Sequence, residues 1–290
     1  MMEMAAKLTM KPEDFRLIRE FVAETFGLML DDGKEAYLAA KLLPRIEALK
    51  LSSFAEYYSY LKFSPGSANE QLKFISLITN NETYFFREEA QLKAFAESIL
   101  PLLKEHKLKK GERRIRIVSA GCSTGEEVYT LAMLLIEAGC FLWDWDVKIT
   151  GVDVDPATIS RAVAGIYSGR AFQATSPFYR ERYFTPCDQG LQVREILRKV
   201  TGFMQGNLIG FDRMFPPGTI DIIFCRNVLI YFNDDTIRRI VDDFAKVLAG
   251  ESFLFLGHSE SLASIAGQYL PMRFPGAIVY RLKANDGYLS

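Results

Sequence analysis

The stretch 115–132 constrains the fold of this chain more than any other. It reads IRIVSAGCSTGEEVYTLA, which is an apolar run, a turn of small residues and then apolar residues at helical spacing. A strand, a small-residue turn and a helix in this order open a doubly wound nucleotide-binding sheet. Gly121 and Gly125 let the backbone approach a ligand that a Cβ atom would exclude, and the amides at the helix start face that ligand. The stretch therefore predicts an α/β domain that binds a ligand above its first strand.

The turn differs from the common phosphate-binding loops. It is not G-x-G-x-x-G, and no Lys-Ser or Lys-Thr pair follows it. Glu126 and Glu127 begin the helix, where they suit the helix dipole but would repel a pyrophosphate. These residues favour a cationic ligand. The alternative, for one of the two glutamates, is the ordinary preference of helix starts for acidic residues.

Composition places the chain among ordinary soluble globular proteins. Its 290 residues are enough for two domains or one large domain, and its formal net charge of −1 argues against a dedicated nucleic-acid binder. No apolar run reaches the ~18 residues of a membrane span, and the N-terminus lacks the apolar core of a signal peptide. The four cysteines lack metal-ligand spacing, which predicts free thiols and a cytoplasmic location. The two histidines are too few for a His-rich metal site.

Residues 12 to about 80 predict helices throughout, because apolar residues recur every three to four positions. We expect Gly27 to end the first helix and Pro44 to kink or break the second. This helical N-terminal domain is placed at 1–78. Near one face of its second helix lie three basic residues, Lys34, Lys41 and Arg45. They form either a patch for an acidic partner surface or an ordinary solvated helix face.

A segment of unusual composition joins this domain to the rest of the chain. Residues 80–88 read NNETYFFRE, in which polar groups surround three adjacent aromatics. A plain linker does not contain such a cluster, so we expect a role for this segment. The linker and its following helix are placed at 79–110, and the second domain at 111–290.

Polar residues follow the later strands of the predicted sheet. Asp153 ends the second strand, where an acidic residue accepts ribose hydroxyls in such folds, whereas Asp155 is suited to cap the next helix. A loop at 205–208 follows the third strand. The fourth strand is followed, at the sheet edge where ligands bind, by Arg226, Asn227 and Tyr231. Packing at the rim is the alternative for Arg226 and Tyr231.

Two antiparallel elements complete the second domain. Short apolar pieces at 191–193, 196–197 and 200–204 predict strands, within a small β insertion at about 183–204 that ends in the third main strand. Residues 269–274 and 277–282 predict a hairpin. A C-terminal antiparallel pair beside a parallel sheet is typical of a methyltransferase rather than a dehydrogenase.

Five motifs, spread over nearly the whole chain, resemble those of the chemotaxis receptor methyltransferases (CheR-type). They are NETYFFRE at 81–88, SAGCSTGEEVYTLA at 119–132, GVDVD at 151–155, CRNVLIYF at 225–232 and GHSESL at 257–262. Members of that family are S-adenosylmethionine-dependent protein-glutamate O-methyltransferases. The resemblance implies an α/β fold, with a seven-stranded Rossmann-like methyltransferase sheet, an all-helical N-terminal domain and a small antiparallel β insertion. It also implies S-adenosylmethionine as cofactor, S-adenosylhomocysteine as product and no metal.

The resemblance further implies roles for single residues. Arg87 and Tyr231 look like the residues nearest the transferred methyl group. The implied cofactor-binding set, with Asp153 on the ribose, is Asn81, Thr83, Arg87, Gly121, Glu127, Asp153, Asn207, Leu208 and Asn227. The implied partner is the cytoplasmic domain of a methyl-accepting chemotaxis receptor, whose acidic sites favour a binding role for Lys34, Lys41 and Arg45. In part of the family the β insertion grips the receptor's C-terminal pentapeptide. We expect no such tether here, because the segment Thr185–Gln189 is short.

The implied reaction gives glutamate methyl esters, as in chemotaxis adaptation, and suits these residues. A substrate glutamate, with a pKa of about 4.3, is already a carboxylate at neutral pH, so its methylation needs no general base. Alignment and exclusion of water contribute up to ~7–11 kcal/mol in favourable cases. Arg87 and Tyr231 are therefore expected to orient the incoming carboxylate. The alternatives are a cofactor-sensing module without transfer activity, a related methyltransferase acting on a non-chemotaxis signalling receptor, and an NAD-type dehydrogenase.

Overall fold

The computed structural model describes residues 8–79, 81–139, 144–262 and 265–283. These residues form two compact units. The first contains the described residues up to 79 together with Tyr231–Asn233, and the second contains the remainder. Across the described ranges, no helix has both the length and the apolar character that crossing a membrane requires. Cys140, which we expected to be a free thiol, lies outside the described residues.

The first unit is helical, as its apolar periodicity predicts. Its helices are α1 (Pro12–Phe26), α2 (Glu35–Ala48), α3 (Phe54–Phe63) and α4 (Ser67–Ile78). The periodic positions Ile18, Leu42 and Phe74 are fully buried. Gly27 ends α1 with a left-handed φ of 73°, and its N–H donates to the Ala23 carbonyl. The predicted glycine cap is therefore confirmed.

Pro44 does not break α2. The helix runs through Pro44 to Ala48, so the prediction of a break is wrong. Pro44 cannot donate to the carbonyl of Ala40, but both residues are exposed, and water can solvate that carbonyl. The helix is then held by the burial of Leu38, Leu42 and Ile46.

A buried carboxylate joins three of these helices. Glu70 of α4 is 2% exposed and accepts hydrogen bonds from Nε and Nη2 of Arg45 at 2.8 and 2.7 Å. It also accepts one from the Tyr57 hydroxyl at 3.0 Å. These bonds offset the desolvation of the carboxylate. Arg45, a predicted partner-binding residue, therefore also ties α2 to α4.

The second unit begins with a long helix and continues with alternating strands and helices. The long helix consists of α5 (Glu89–Ala94), a π-helical segment (Phe95–Ile99) and α6 (Leu100–Lys109). The elements that follow are β1 (Arg114–Ala120), α7 (Glu126–Glu137), β2 (Asp146–Asp153), α8 (Pro156–Ala164), β3 (Ile166–Tyr167), α9 (Pro177–Tyr183), β4 (Phe184–Cys187), β5 (Gly190–Val193), α10 (Glu195–Arg198), β6 (Thr201–Gln205), β7 (Ile220–Cys225), α11 (Asp234–Val247), β8 (Leu248–Leu256), β9 (Tyr269–Phe274) and β10 (Ala277–Leu282).

The main sheet confirms the predicted seven-stranded methyltransferase arrangement. Its strand order is β6-β2-β1-β7-β8-β10-β9. The first five strands in this order pair in parallel, and β10 pairs antiparallel with both β8 and β9. Since β2 and β7 flank β1 on opposite sides, the carboxyl ends of these three strands meet where the strand order reverses. Ligands of doubly wound sheets bind at such a switch point.

A second, antiparallel sheet has the order β3-β5-β4. It confirms the predicted small β insertion and includes Ile166–Tyr167, which precede the predicted range. As expected, β6 joins the main sheet by pairing with β2. The prediction of a strand at 196–197 is wrong, because these residues lie in α10. Two apolar residues carry no periodicity that separates a strand from a helical turn.

The Glu70 network predicts a stability effect. We expect Glu70→Ala to lower the free energy of unfolding by about 1–3 kcal/mol, because Arg45 and Tyr57 lose their shared acceptor. Urea denaturation followed by circular dichroism measures the change. Glu20→Ala is the control, since Glu20 pairs with Arg16 on the exposed face of α1 and exposed pairs contribute little. Equal unfolding midpoints for Glu70→Ala and the unaltered protein would contradict a stabilising network.

Candidate active site

The turn between β1 and α7 has a backbone that requires glycine. Gly121 and Gly125 have φ values of 80° and 92°, in the region that residues with a Cβ atom disfavour. A Cβ atom at Gly121 would lie 2.5 Å from Cγ2 of Val228, in the loop after β7. The glycine thus lets two strand-end loops pack against each other. The sequence did not reveal this reason for a glycine at position 121. Its role in binding a cofactor stays a prediction.

Asp153, at the end of β2, holds the same turn from the other side. Its Oδ2 accepts a hydrogen bond from the Ser123 amide at 2.8 Å, and its Oδ1 accepts one from the Asp155 amide at 3.0 Å. Burial raises the pKa of the Asp153 carboxyl, although these amide bonds act in the opposite direction. Asp155 caps α8 through the Ala157 amide at 2.8 Å, as predicted, and accepts from Nδ2 of Asn81 at 3.1 Å.

The two glutamates at the start of α7 have different surroundings. Glu127 accepts hydrogen bonds from the Ser119 hydroxyl at 2.7 Å and from Nη1 of Arg226 at 2.9 Å. Glu126 is buried and accepts from the Thr124 hydroxyl at 2.7 Å. Burial raises the pKa of the Glu126 carboxyl. Glu127 therefore belongs to a charged cluster at the strand ends, whereas Glu126 is buried in the first turn of α7.

Arg226, directly after β7, lies at the centre of this cluster. Its side chain is 3% exposed. Besides its bond to Glu127, it donates from Nη2 to the backbone carbonyl of Arg87 at 2.6 Å. The same Nη2 lies 3.3 Å from Oε2 of Glu88. Arg226 is therefore buried among charged groups and is not packed at the rim of the sheet.

Aromatic contacts anchor the segment 81–88 to the second unit. Phe85 is fully buried, with its ring centroid 4.8 Å from that of Tyr167. The Phe86 amide donates to the Thr130 hydroxyl of α7 at 3.2 Å. These contacts explain why a connecting segment contains adjacent aromatics, and they bring its polar residues to the sheet edge.

Glu88 connects this segment to the ends of β7 and β8. Its Oε1 accepts from Nδ2 of Asn227 at 3.1 Å and lies 2.9 Å from Nδ1 of His258. Burial acts to raise the pKa of the Glu88 carboxyl, but the bonds to His258 and Asn227 and the charge of Arg226 lower it. Glu88 is a site residue that the sequence did not indicate, because all three of its partners are distant in the chain.

Glu260, within the motif GHSESL, holds the loop after β7. Its carboxylate accepts hydrogen bonds from the amides of Asn227, Val228 and Leu229 at 2.9, 2.9 and 2.7 Å, and from that of Gly257 at 2.6 Å. Asn227 has a φ of 59°, a conformation that needs such support. The motif was a signal for this residue, but the sequence did not show which groups the carboxylate binds.

Other predicted cofactor residues lie close to these loops. Asn207 follows β6, where the Gly206 amide donates to the Asp153 carbonyl at 2.9 Å. The Asn207 side chain accepts from the Ile209 amide at 3.0 Å, and Leu208 beside it is buried. In the second unit, these contacts bring to one sheet edge Asn81, Arg87, Gly121, Glu127, Asp153, Asn207, Leu208 and Asn227. Thr83 lies in the segment between Asn81 and Phe85, and its role in binding a cofactor stays a prediction.

Tyr231 and the three basic residues belong to the first unit. The Tyr231 carbonyl accepts from the Met29 amide at 2.8 Å. Lys34 pairs with Asp31 at 2.6 Å, and Nζ of Lys41 donates to the Leu77 carbonyl at 2.5 Å.

Three of the four cysteines lie among the described residues. Cys122, Cys187 and Cys225 are free, and burial raises the thiol pKa of Cys122 and of Cys225 well above the usual value. Within the part of the chain that the structure describes, no group of His, Cys, Asp or Glu residues is arranged to hold a metal ion.

Comparison with known proteins identifies the family. The family model described as the CheR methyltransferase SAM binding domain matches residues 81–275, and that of the CheR methyltransferase all-alpha domain matches residues 13–79. The chain belongs to the CheR methyltransferase family. A relative from Vibrio cholerae, named Chemotaxis protein methyltransferase 2, is 36% identical over 90% of each chain. Relatives from Salmonella typhimurium and Escherichia coli, both named Chemotaxis protein methyltransferase, are 34% and 33% identical over 98% of this chain and 95% and 96% of theirs.

The charged cluster of this methyltransferase fits S-adenosylmethionine. The amino-acid end of that molecule carries an ammonium and a carboxylate, and its sulfur is a sulfonium. Two atoms of the cluster, Nε of Arg226 and Oε2 of Glu88, are buried and make no hydrogen bond to the described residues. Nε of Arg226 offers a donor beside Glu127. Oε2 of Glu88, which is ion-paired with Nη2 of Arg226 at 3.3 Å, can accept a further hydrogen bond, so a zwitterionic ligand can satisfy both atoms. The turn after β1 also lacks a phosphate-binding sequence.

Proposed function

We propose that this methyltransferase acts in the cytoplasm and methylates glutamate side chains on the helices of chemoreceptor cytoplasmic domains, giving glutamate methyl esters in chemotaxis adaptation. The names of the relatives support the chemotaxis role. The observation that carries the chemistry is the cluster in which Arg226 holds the Glu127 carboxylate and the Arg87 backbone together. We infer that the Glu127 carboxylate serves a cationic cofactor, and that Arg87, whose backbone Arg226 holds, serves an anionic substrate.

The residues at the sheet edge divide into groups that suit different parts of the cofactor. Asp153 would accept from the ribose hydroxyls, and Glu127 would bind the ammonium. The loop of Asn207 and Leu208 would lie on the adenine side. The rest of the cofactor set would be Asn81, Thr83, Arg87, Gly121 and Asn227. When bound, S-adenosylmethionine supplies an activated methyl group on its sulfonium.

The protein's own contribution is orientation. A substrate glutamate is ionised at neutral pH, so the pair of His258 and Glu88 is not required as a general base. Arg87 is held at its backbone by Arg226, and its Nη1 donates to the Glu82 carbonyl at 2.9 Å. Arg87 and Tyr231 would orient the substrate carboxylate for in-line attack. They would not bind its charge tightly, because tight binding in the ground state would slow the reaction.

The ribose role of Asp153 predicts a loss of cofactor affinity. We expect Asp153→Ala to raise the dissociation constant of S-adenosylhomocysteine several-fold or more, which corresponds to about 1–3 kcal/mol for lost hydrogen bonds to a carboxylate. Isothermal titration calorimetry measures this. Asp146→Ala, at the opposite end of the same strand, is the control and should bind like the unaltered protein. Unchanged affinity of Asp153→Ala would rule out the ribose role.

Transfer of labelled methyl groups tests the proposed reaction. Incubation with S-adenosylmethionine and receptor cytoplasmic fragments should yield base-labile label, as expected of an ester. The label should disappear when the acceptor glutamates of the fragment are replaced by alanine. Cofactor binding without transfer to any receptor fragment would instead support a sensing module.

The same assay tests for a receptor tether. Cys187 pairs with Gly190 across the β4–β5 turn, so two residues connect these strands. Such a tight turn offers little surface for gripping a peptide. We therefore propose that the C-terminal pentapeptide is not required, and receptor fragments with and without it should be methylated at equal rates. A lower rate without the pentapeptide would refute this.

We further propose that Lys34, Lys41 and Arg45 face the acidic receptor helices. Because Arg45 supports Glu70, the test is restricted to the two lysines. Lys34→Gln with Lys41→Gln should slow receptor methylation several-fold at low salt and leave the affinity for S-adenosylhomocysteine unchanged. The difference should shrink at high salt, which screens exposed charges. Arg16→Gln on α1 is the control, and equal rates for the double variant and unaltered protein at low salt would favour a merely solvated face.

A further inference from the structure

The guanidinium of Arg226 joins two segments that are distant in the sequence. Nη1 donates to Glu127 at the start of α7 at 2.9 Å, and Nη2 donates to the Arg87 carbonyl at 2.6 Å. A guanidinium presents its donors in a rigid planar fork. The positions of both acceptors are therefore set by a single side chain.

The backbone around Arg87 needs this support. The residues on either side, Phe86 and Glu88, have φ values of 62° and 59°, and left-handed backbone is unfavourable for residues with large side chains. The Phe86 amide is held by Thr130, and the Glu88 carboxylate is held by Asn227. The bond from Arg226 lies between these two supports, at the carbonyl of Arg87 itself.

Charge in the cluster is also balanced by Arg226. One guanidinium faces the carboxylates of Glu88 and Glu127, which leaves a net charge of about −1 for a cationic ligand. Other titratable groups nearby are His258, which faces Glu88 from the end of β8, and Glu260, which binds the amides of the loop after β7. The thiols of Cys122 and Cys225 also lie near Glu127, and their pKa is raised by burial first and then helped upward by the Glu127 charge. Without the guanidinium, two carboxylates would lie in a buried site with no compensating cation.

We propose that Arg226 is a positioning residue, which holds the Arg87 backbone and the Glu127 carboxylate in one arrangement and offsets the repulsion between the Glu127 and Glu88 carboxylates beside a cationic cofactor. The inference rests on the proposed cofactor and reaction. Arg226 acts through Arg87 and Glu127, and its effect is therefore visible in cofactor affinity as well as in catalysis.

Titration with S-adenosylhomocysteine at several pH values tests the charge role. Arg226→Gln removes the cation, and repulsion between the carboxylates of Glu88 and Glu127 then favours protonation of one of them. The dissociation constant should rise about tenfold or more at pH 7. It should fall again with increasing pH, by at most about tenfold per pH unit for a single linked proton. The unaltered protein and Arg226→Lys, which retain a cation, should show flatter profiles.

A second substitution in the variant separates this effect from a damaged fold. Arg226→Gln with Glu88→Gln returns the charge of the cluster to about −1, so it should recover part of the lost affinity and flatten the pH profile. Arg116→Gln is the matched control, since Arg116 also donates to a backbone carbonyl, that of Asp146 at 2.8 Å, but at the amino end of the sheet. Its cofactor affinity should equal that of the unaltered protein.

Arg226→Lys tests the geometric role. One ammonium cannot reproduce the planar fork between the Arg87 carbonyl and Glu127. We therefore expect kcat for receptor methylation to fall about tenfold or more, while the affinity for S-adenosylhomocysteine changes little. An unchanged kcat in this variant would overturn the geometric role.

Two results of the titration would overturn the charge role. The first is an unaltered affinity in Arg226→Gln. The second is a loss of affinity that is recovered neither at higher pH nor by adding Glu88→Gln. The titration needs no receptor. Failure of the unaltered protein to methylate receptors would reject the proposed substrate and leave the outcome of the titration standing.

Discussion

A buried guanidinium is the constraint on which the charged end of the main sheet depends. Arg226 is almost completely removed from solvent, and the cost of its desolvation is offset only by well-placed acceptors. Glu127, Glu88 and the Arg87 carbonyl supply them. The start of α7, the segment 81–88 and the end of β7 are therefore joined by one side chain, and a change in any of them disturbs the others.

The loops around this cluster are held by protein groups. Val228 fills the space beside Gly121, Glu260 binds consecutive amides of the loop after β7, and Asp153 binds the Ser123 amide. Backbone that is already fixed loses little conformational freedom when a ligand binds. The proposed chemistry uses no general base, so its catalysis consists mainly of alignment. Pre-organised loops suit such a reaction.

Much of the fold follows from local sequence signals. The strand, turn and helix of 115–132, the glycine cap of α1 and the C-terminal hairpin were all predicted, because each depends on residues that are neighbours in the chain. The failures have equally local causes. Pro44 lies where water can replace a lost helical donor, and 196–197 is too short for its periodicity to distinguish a helix from a strand.

The sequence by itself determined the family, the α/β architecture and which loops would lie at the carboxyl edge of the sheet. It also marked Asp153 by its position after β2, since strand ends in such a fold are set by order and spacing, whereas Glu127 was singled out from Glu126 by the resemblance to the family. The tertiary structure alone decided the partners: Arg226 with Glu127 and Glu88, and Glu260 with the loop after β7. A charged side chain carries no local sign of its partner, because that partner is brought near only when distant strands pair and their loops meet.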